Sequence, residues 1–240
     1  MKPLLIVQTG SAPDSIRARL GDFPHWFRLA LGVHPQRLRV VRVDRDEALP
    51  PPRMCAGAVI TGSAAMVTER APWSERTAGW IRDAMDAALP LVGVCYGHQL
   101  MAHALGGRVD WLPGGREIGT QRVELLAAAK TDPLSRALPP AFRAHTTHEQ
   151  SVLEPPAGAR VLARSERDPH QILRYGERAF STQFHPEFST AAMAAYIRRR
   201  AAKLREEGLD VPRLLHEVGP TPHARRLLDA GGPAWAGAGG

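Results

Sequence analysis

The sequence predicts an α/β fold in which a doubly wound, mostly parallel sheet carries helices on both faces. Strand-like apolar runs alternate with helix-like amphipathic segments through the first half of the 240-residue chain, an order typical of parallel sheets with crossover helices. Two of these runs, residues 56–61 and 91–94, contain almost no polar side chain, as expected for strands that are covered on both faces. The length suits one large domain with a small appendage.

The elements of the first half follow from local patterns. A first strand is predicted at residues 4–8, where the chain is apolar at once, and a helix at residues 15–31, interrupted near Pro24 because proline removes a backbone donor. Apolar runs then predict strands at residues 38–43, 56–61 and 91–94. Helices are predicted between and after them. They cover residues 74–88, where apolar side chains share one face, and residues 97–105.

The second half is richer in strands, which are predicted at residues 121–126, 142–146, 160–163, 171–175 and 179–184. A helix over residues 190–207 completes the main domain, which we assign to residues 1–207. Residues 208–240 are predicted to form a C-terminal extension with one or two short helical pieces. Residues 231–240 are rich in glycine and are expected to be poorly ordered.

Composition indicates a globular protein without a membrane segment. The chain is 44% apolar and 23% charged, and its longest apolar stretches are interrupted by Gly or Pro and are too short to cross a bilayer. The apolar run at residues 3–7 is too brief for an export signal. We therefore expect a cytoplasmic protein in which Cys55 and Cys95 are thiols.

The net charge of +7 raises the question of nucleic-acid binding. Only three of the 31 basic residues are lysines, and the arginines are spread among acidic residues along the whole chain. No basic run is interleaved with aromatic side chains. A compositional bias toward arginine is therefore the favoured interpretation, and nucleic acid is not an expected partner.

The most informative segment is Leu91-Val-Gly-Val-Cys95-Tyr-Gly97-His-Gln99. A buried strand runs directly into a helix, and Cys95 lies at the turn with Gly93 and Gly97 two residues to either side. This is the nucleophile-elbow pattern with cysteine in place of serine. The helix N-terminus favours a thiolate at Cys95, and the backbone N–H of Tyr96 is placed to stabilise an oxyanion. A buried structural cysteine is the alternative.

A second segment supplies a base and a group that orients it. Residues 179–184 lead into His185-Pro186-Glu187, and in an extended chain residues two apart face the same side. Glu187 is therefore predicted to hold one imidazole nitrogen of His185, which turns the other toward a nucleophile. His98 is a rival base without a carboxylate of its own. Gln99 lies one turn after Cys95 on the same helix face, where its amide is a candidate for binding a substrate.

These residues resemble the class I glutamine amidotransferase family, whose signature is a GxCxGxQ elbow followed by a downstream HPE. The resemblance extends from Leu4 to about Arg200 and is strongest to stand-alone proteins similar to the amidotransferase domain of GMP synthase. It implies a flavodoxin-like sheet and a Cys-His-Glu triad in which Cys95 forms a glutamyl thioester, His185 acts as general base and acid, and Glu187 orients His185.

The same resemblance implies a binding site for the reacting amide. Residues 60–63 follow a buried strand where the family has a glycine-rich oxyanion loop, so the N–H groups of Gly62 and Tyr96 would hold the oxyanion. Gln99 would contact the substrate. An ordinary turn is the alternative interpretation of residues 61–63.

One segment departs from the family pattern. Members often carry Ser-His-Gly-Asp near the substrate α-carboxylate, whereas this chain has Thr-His-Glu-Gln at residues 147–150. Glu149 in place of glycine is expected to alter the backbone there and to bring a negative charge toward a carboxylate. The histidines His145, His148 and His170 match no compact zinc motif, so we expect neither a metal nor another cofactor.

The sequence contains no P-loop and no Ser-Gly-Gly-x-Asp-Ser loop. The leading hypothesis is therefore a glutaminase that releases ammonia from glutamine or another γ-glutamyl compound, with a separate synthetase chain as partner. A hydrolase of γ-glutamyl peptides or conjugates is the first alternative. A non-catalytic regulatory subunit is the second, and the joint presence of Cys95, His185 and Glu187 argues against it.

Overall fold

A computed structural model describes residues 2–236, with side chains up to residue 229. The chain forms eight α-helices and eleven strands within this range, besides short 3₁₀ turns. The strands are β1 (Leu4–Gln8), β2 (Leu38–Arg42), β3 (Gly57–Ile60), β4 (Leu91–Val94), β5 (Arg108–Trp111), β6 (Glu117–Leu125), β7 (Ala141–His148), β8 (Gln150–Glu154), β9 (Arg160–Arg164), β10 (Ile172–Arg174) and β11 (Ala179–Thr182). The helices are α1 (Asp14–Leu20), α2 (Phe23–Leu31), α3 (Pro72–Asp86), α4 (Tyr96–Ala104), α5 (Thr190–Arg199), α6 (Ala201–Glu206), α7 (Val211–Glu217) and α8 (Pro222–Ala236).

Nine strands form one mixed sheet in the order β2-β1-β3-β4-β11-β10-β9-β6-β7. The strands from β2 to β11 in this order are parallel to one another, and the remaining four continue the sheet in antiparallel pairs. Strands β5 and β8 form a separate two-stranded ribbon. The predicted α/β class is confirmed, and the parallel part is the one that carries the predicted nucleophile and base.

Apolar side chains fill both faces of the sheet. In β1, Leu4 and Ile6 point into one buried cluster, whereas Leu5 and Val7 point into the other. Helix α2 packs in the first cluster and helix α3 in the second. Because successive side chains of a strand face opposite sides, a strand covered on both faces must be apolar at every position. This is the physical reason for the unbroken apolar runs in the sequence.

The interruption predicted near Pro24 lies at Gly21 and Asp22, between α1 and α2. Helix α1 ends before Gly21, which has a φ of 84°, and helix α2 begins at Phe23 with the Asp22 side chain accepting from its backbone N–H. Pro24 lies in the first turn of α2, where a backbone donor is not needed. The glycine, not the proline, ends the first helix.

Three predictions in the second half also differ from the structure. Strand β6 begins at Glu117 rather than at residue 121, and β5 and β8 are absent from the sequence prediction. Residues 147–150, predicted as a loop, form the end of β7 and the start of β8. The helix predicted over residues 190–207 is two helices, since Arg200 leaves helical geometry with a φ of −92° and a ψ of 6°.

The C-terminal extension contains two helices, and side chains of both belong to the same apolar cluster as α2. Val211 of α7 and Leu227 and Leu228 of α8 are buried there. The boundary between residues 207 and 208 stays a prediction. The predicted poor order of residues 231–240 falls on residues whose side chains lie outside the described part of the chain, and residues 237–240 lie outside it entirely.

Helices long and apolar enough to cross a membrane are absent from the described residues.

Candidate active site

Cys95 lies between β4 and α4 in a backbone conformation that L-residues rarely adopt, with a φ of 53° and a ψ of −102°. Two hydrogen bonds hold the turn. The N–H of Cys95 donates to the carbonyl of Thr182 at 2.9 Å, and the N–H of Gly97 donates to the carbonyl of Thr61 at 3.1 Å. A strained residue persists only where its surroundings over-determine it, and such residues cluster at functional sites.

The two glycines that flank Cys95 are required by close backbone contacts. A Cβ on Gly93 would lie 2.5 Å from the carbonyl oxygen of Gly97, and a Cβ on Gly97 would lie 2.3 Å from that of Ile60. Real Cβ atoms do not approach backbone oxygens this closely. The spacing of glycine, cysteine and glycine therefore has the steric cause that the sequence pattern predicts.

His185 is held from three sides beside Cys95. Its backbone N–H donates to the carbonyl of His145 at 2.7 Å, and its ring nitrogen Nδ1 donates to Oε1 of Glu187 at 2.7 Å. The ring of Phe188 stacks on it with 4.0 Å between centroids. With Nδ1 committed to the carboxylate, Nε2 is the nitrogen available to Cys95. The structure therefore brings Cys95, His185 and Glu187 together.

The electrostatics of this group favour a charged pair. Burial raises the pKa of the Cys95 thiol, but the adjacent His185 opposes burial and leaves that pKa below its usual value. Burial lowers the pKa of His185, but Glu187 and Cys95 together raise it to about 10. Both shifts favour the pair of a thiolate and an imidazolium over the two neutral side chains. The N-terminus of α4 adds a positive dipole end at the sulfur.

Gly62 lies directly beside this pair. A Cβ on Gly62 would be 2.9 Å from Cε1 of His185 and 3.6 Å from Cβ of Cys95. The peptide that precedes its nitrogen is fixed, because the carbonyl of Thr61 accepts from both Gly97 N–H and the Thr9 hydroxyl. The Gly62 N–H therefore has a set direction, as an oxyanion donor requires.

Tyr96 and Gln99 occupy the first turn of α4. The Tyr96 hydroxyl is hydrogen-bonded to Ser74 at 2.6 Å, which leaves its backbone N–H as the group relevant to the site. The side-chain amide of Gln99 donates to the backbone carbonyl of Gln150 at 2.7 Å and to Gln183 at 3.0 Å. Because both amide hydrogens are used, only the carbonyl oxygen of Gln99 remains available to a ligand.

Two cavities open on Cys95. The larger, of about 190 Å³, lies on the side of His185 and is lined by the aromatic rings of Phe23, Phe188 and Tyr196. The smaller, of about 60 Å³, lies on the side of Gln99 and is lined mostly by polar residues. Cys95 therefore stands between an aromatic compartment and a polar one.

Glu149 lines the smaller cavity, and its φ is not positive. Its expected effect on the backbone, relative to glycine, stays a prediction. Its carboxylate is bonded to the buried guanidinium of Arg116 and lies 3.4 Å from Nζ of Lys203. The negative charge is therefore neutralised within the protein.

Four further histidines, His98, His145, His148 and His170, each have a hydrogen-bond partner. His98 is fully buried with Nδ1 2.7 Å from the Ser181 hydroxyl, and burial above all lowers its pKa to about 3. Nδ1 of His145 lies 3.1 Å from Thr120, His148 is bonded to Glu117, and Nδ1 of His170 donates to a backbone carbonyl. Within the described residues, no three His, Cys, Asp or Glu side chains converge as metal ligands.

Sequence reasoning missed several residues that line the cavities beside Cys95. They are Phe23, Arg116, Thr147, Phe188, Tyr196 and Arg200. Thr147 enters the sequence pattern only as part of a loop, yet its carbonyl oxygen lies 3.9 Å from the sulfur of Cys95. Arg200 is predicted inside an unbroken helix, and nothing in the Arg-Arg-Arg run at residues 198–200 separates it from its neighbours.

The fold and the site define an α/β protein that presents a cysteine on a strand-to-helix turn, with a His-Glu pair supplied by the adjacent parallel strand. Comparison with known proteins specifies this class further. The family model "Glutamine amidotransferase class-I" matches residues 30–204, and the chain belongs to this family.

Relatives and solved structures agree with this assignment. The chain is 35% identical over 158 residues to a GMP synthase [glutamine-hydrolyzing] from Aeropyrum pernix, a match that covers 65% of this chain but only 28% of the relative. It is 34% identical over 150 residues to one of the subunits of GMP synthase from Methanopyrus kandleri, covering 62% of this chain and 75% of the relative. The predicted resemblance to GMP synthase is confirmed.

A solved glutamine amidotransferase from Methylobacillus flagellatus superposes with a TM-score of 0.76 at 22% identity, covering 99% of this chain and 95% of that one. Another from Thermotoga maritima gives a TM-score of 0.75 at 20% identity, with 96% of each chain covered. At these identities the superpositions establish the fold, and they confirm its predicted class.

Proposed function

We propose that this protein is a glutaminase that hydrolyses the side-chain amide of glutamine and releases ammonia for a separate synthetase chain. The observation that carries the proposal is the convergence of Cys95, His185 and Glu187 at the carboxyl ends of β4 and β11. The separate chain is suggested by the Methanopyrus kandleri relative, which is named as one subunit of its enzyme.

The chemistry follows from the protonation states. The thiolate of Cys95 attacks the amide carbon, and the negative charge that develops on the amide oxygen is held by the N–H groups of Gly62 and Tyr96. The C–N bond then breaks as His185 gives its Nε2 proton to the departing nitrogen, leaving a thioester on Cys95. His185, now neutral, removes a proton from water, which attacks the thioester. Glutamate leaves and the thiolate is restored.

Each remaining group has a defined task in this scheme. Glu187 keeps Nδ1 of His185 protonated, so that Nε2 exchanges the proton in both steps. Phe188 stacks on the ring of His185 and limits its rotation. The carbonyl oxygen of Gln99 has no hydrogen-bond partner among the described side chains, and Gln99 lines the polar cavity, where this oxygen can accept from the substrate.

The test is the release of glutamate from glutamine by the purified protein, alone and mixed with a candidate synthetase. A Cys95→Ala variant should lose the activity, whereas Cys55→Ala, which removes the other thiol, should keep it. A chloroketone analogue of glutamine should alkylate Cys95 and leave Cys55 free. Equal glutamate release by the wild type and the Cys95 variant would refute the proposal.

One observation favours a second candidate, a hydrolase of γ-glutamyl conjugates. His185 protonates the leaving nitrogen, so any substituent on that nitrogen lies on the side of the 190 Å³ aromatic cavity. Ammonia alone does not need such a volume. Turnover of γ-glutamyl methylamide, anilide and diamine conjugates should be compared with that of glutamine. A higher kcat/KM for any conjugate supports this candidate, and strict preference for glutamine eliminates it.

A further inference from the structure

Arg200 lies where the two cavities meet. It separates α5 from α6, and it lines both the aromatic and the polar compartment, as only Ser63, Ala64, Cys95 and Thr147 also do in the described part of the chain. Its backbone has a φ of −92° and a ψ of 6° at the point where the two helices meet.

The guanidinium of Arg200 makes no direct ion pair with another described side chain. Among the described residues it has no ion pair and no side-chain hydrogen bond, and its Nη1 atom is buried without a partner. Its one specific contact is with the ring of Tyr196, 5.2 Å below it. Burial and the nearby charge of Arg116 lower the pKa of Arg200, and the smaller effects of Tyr196, Glu149 and Cys95 oppose them. Arg200 is half-buried, and a partly buried charge is costly unless a partner compensates it.

Arg116 provides a contrast within the same cavity. Arg116 also lines the polar cavity, but its guanidinium is bonded to both Glu149 and Glu207. Its positive charge is therefore balanced by these two carboxylates. Of these two arginines, Arg200 is the one free to bind an anion.

The polar cavity also offers unused acceptors. The hydroxyl of Thr147 and Oε1 of Gln150 are buried without hydrogen-bond partners, although Nε2 of Gln150 is fixed by Thr68 at 2.6 Å. Both residues line the 60 Å³ cavity together with Arg200. A cation and hydrogen-bond acceptors in one cavity match a zwitterion, whose carboxylate and ammonium groups need opposite partners.

We propose that Arg200 binds the α-carboxylate of the amino-acid substrate, while the Thr147 hydroxyl and the Gln150 side-chain oxygen receive its α-ammonium group. The inference rests on the proposed function and names the residue that determines its substrate. In this chain, residues 147–150 offer no free positive charge, because His148 is bonded to Glu117. Arg200, which lines the same cavity, supplies it.

The first test compares glutamine with glutaminamide, in which a neutral amide replaces the α-carboxylate. Arg200→Gln should lower kcat/KM for glutamine on the order of 10- to 100-fold, mainly by raising KM. This factor corresponds to the free energy of a hydrogen bond to a charged group. Turnover of glutaminamide should stay unchanged. Arg200→Lys, which keeps the charge, should restore part of the preference. Arg198→Gln, an exposed arginine on α5, is the matched control.

A second test does not depend on glutamine turnover. The rate of Cys95 alkylation by iodoacetate, an anion, is divided by the rate with iodoacetamide, its neutral counterpart. Arg200→Gln should lower this ratio about 10-fold, and Arg198→Gln should not change it. If the wild type hydrolyses no glutamine but the ratio still depends on Arg200, the proposed function fails and the anion site stands.

The opposite pattern of results distinguishes the anion site from the proposed function equally clearly. If glutamine is hydrolysed and Arg200→Gln lowers kcat/KM for glutamine and glutaminamide by the same factor, with no change in the alkylation ratio, the inference is overturned and the function stands. The urea midpoint of each variant shows whether it is folded. Removal of an uncompensated charge should not lower that midpoint, whereas loss of a purely structural arginine would.

Discussion

The backbone N–H of Cys95 donates to the carbonyl oxygen of Thr182 across 2.9 Å. This bond joins the turn that carries the cysteine to the last residue of the strand that precedes His185. Because β4 and β11 are adjacent and parallel, their carboxyl ends meet at the same edge of the sheet, where α/β proteins place their ligands. Residues 90 positions apart in sequence are thereby brought side by side.

Replacing Glu187 by Gln should impair the proposed hydrolysis while leaving the fold intact. The glutamine side chain has a similar shape, but it removes the charge that raises the pKa of His185. His185 would then lose its proton more readily and adopt the wrong tautomer in part of the molecules. We expect kcat/KM for glutamine to fall about 10²- to 10⁴-fold.

Glu206→Gln is the control for the Glu187 substitution. It changes an exposed carboxylate at the end of α6 and should leave the rate of glutamine hydrolysis unchanged. Retention of full activity by Glu187→Gln, with the alkylation rate of Cys95 also unchanged, would contradict the assigned role of Glu187.

The two cysteines should differ in the pH at which they react with iodoacetamide. The pKa of Cys95 is lowered by His185 against the effect of burial, so its thiolate persists below the usual titration range. The pKa of Cys55 is raised by burial, so its thiolate forms only at more alkaline pH. Mass spectrometry after timed alkylation at pH 6–9 should show Cys95 modified first at every pH.

The same experiment on His185→Gln tests the cause of the difference. Loss of the imidazolium should move the alkylation profile of Cys95 to higher pH, toward that of Cys55. A profile that does not move would show that His185 is not the group that stabilises the thiolate.

A methyl group on Gly97 should destabilise the fold. The Cβ atom of an alanine there would lie 2.3 Å from the carbonyl oxygen of Ile60. Because that oxygen belongs to the backbone, it cannot move away without distorting β3. We expect Gly97→Ala to lower the free energy of unfolding by about 3 kcal/mol, measured by urea denaturation. Gly176→Ala is the matched control, because nothing lies within 4 Å of its added Cβ. Equal stability of the two variants would disprove the steric account of the turn.

The parallel half of the sheet was predictable because its strands have a local signature. Residues 56–61 and 91–94 are apolar at nearly every position, since both faces of the sheet are covered there. The elbow at Cys95 and the His-Pro-Glu segment were likewise readable, because each needs particular residue types at fixed spacing. These features depend on neighbours in sequence.

The features that were missed depend on residues distant in sequence. Strand β6 begins at Glu117, a charged residue that no apolar pattern marks as buried. Its partners are all distant in sequence: His148 on the paired strand, Ser165 and Gln171. The sequence predicts the interruption near Pro24, but the residue that ends the first helix is Gly21. The role inferred for Arg200 depends on the two cavities that it lines and on its lack of a direct ion pair among the described residues. Neither is visible in a run of three arginines.

The buried pair of His148 and Glu117 yields a prediction about stability and pH. Nε2 of His148 lies 2.8 Å from Oε2 of Glu117, and both side chains are almost fully buried. Burial lowers the pKa of His148, but Glu117 and then Asp168 raise it above its usual value of 6.5. The pair therefore stabilises the fold fully below pH 6.5, and this contribution is lost as pH rises through the higher pKa of the folded state.

Glu117→Gln removes the negative partner and leaves His148 buried. We expect the free energy of unfolding to fall by about 3 kcal/mol at pH 6, and the difference from the wild type to shrink as the pH is raised to 9, because His148 becomes neutral in both proteins. Urea denaturation at a series of pH values measures this difference. Glu124→Gln, on the exposed part of the same strand, should show no such dependence. A gap between Glu117→Gln and the wild type that does not change with pH would mean that His148 is neutral in the folded protein and that its hydrogen bond to Glu117, rather than its charge, holds β6 against β7.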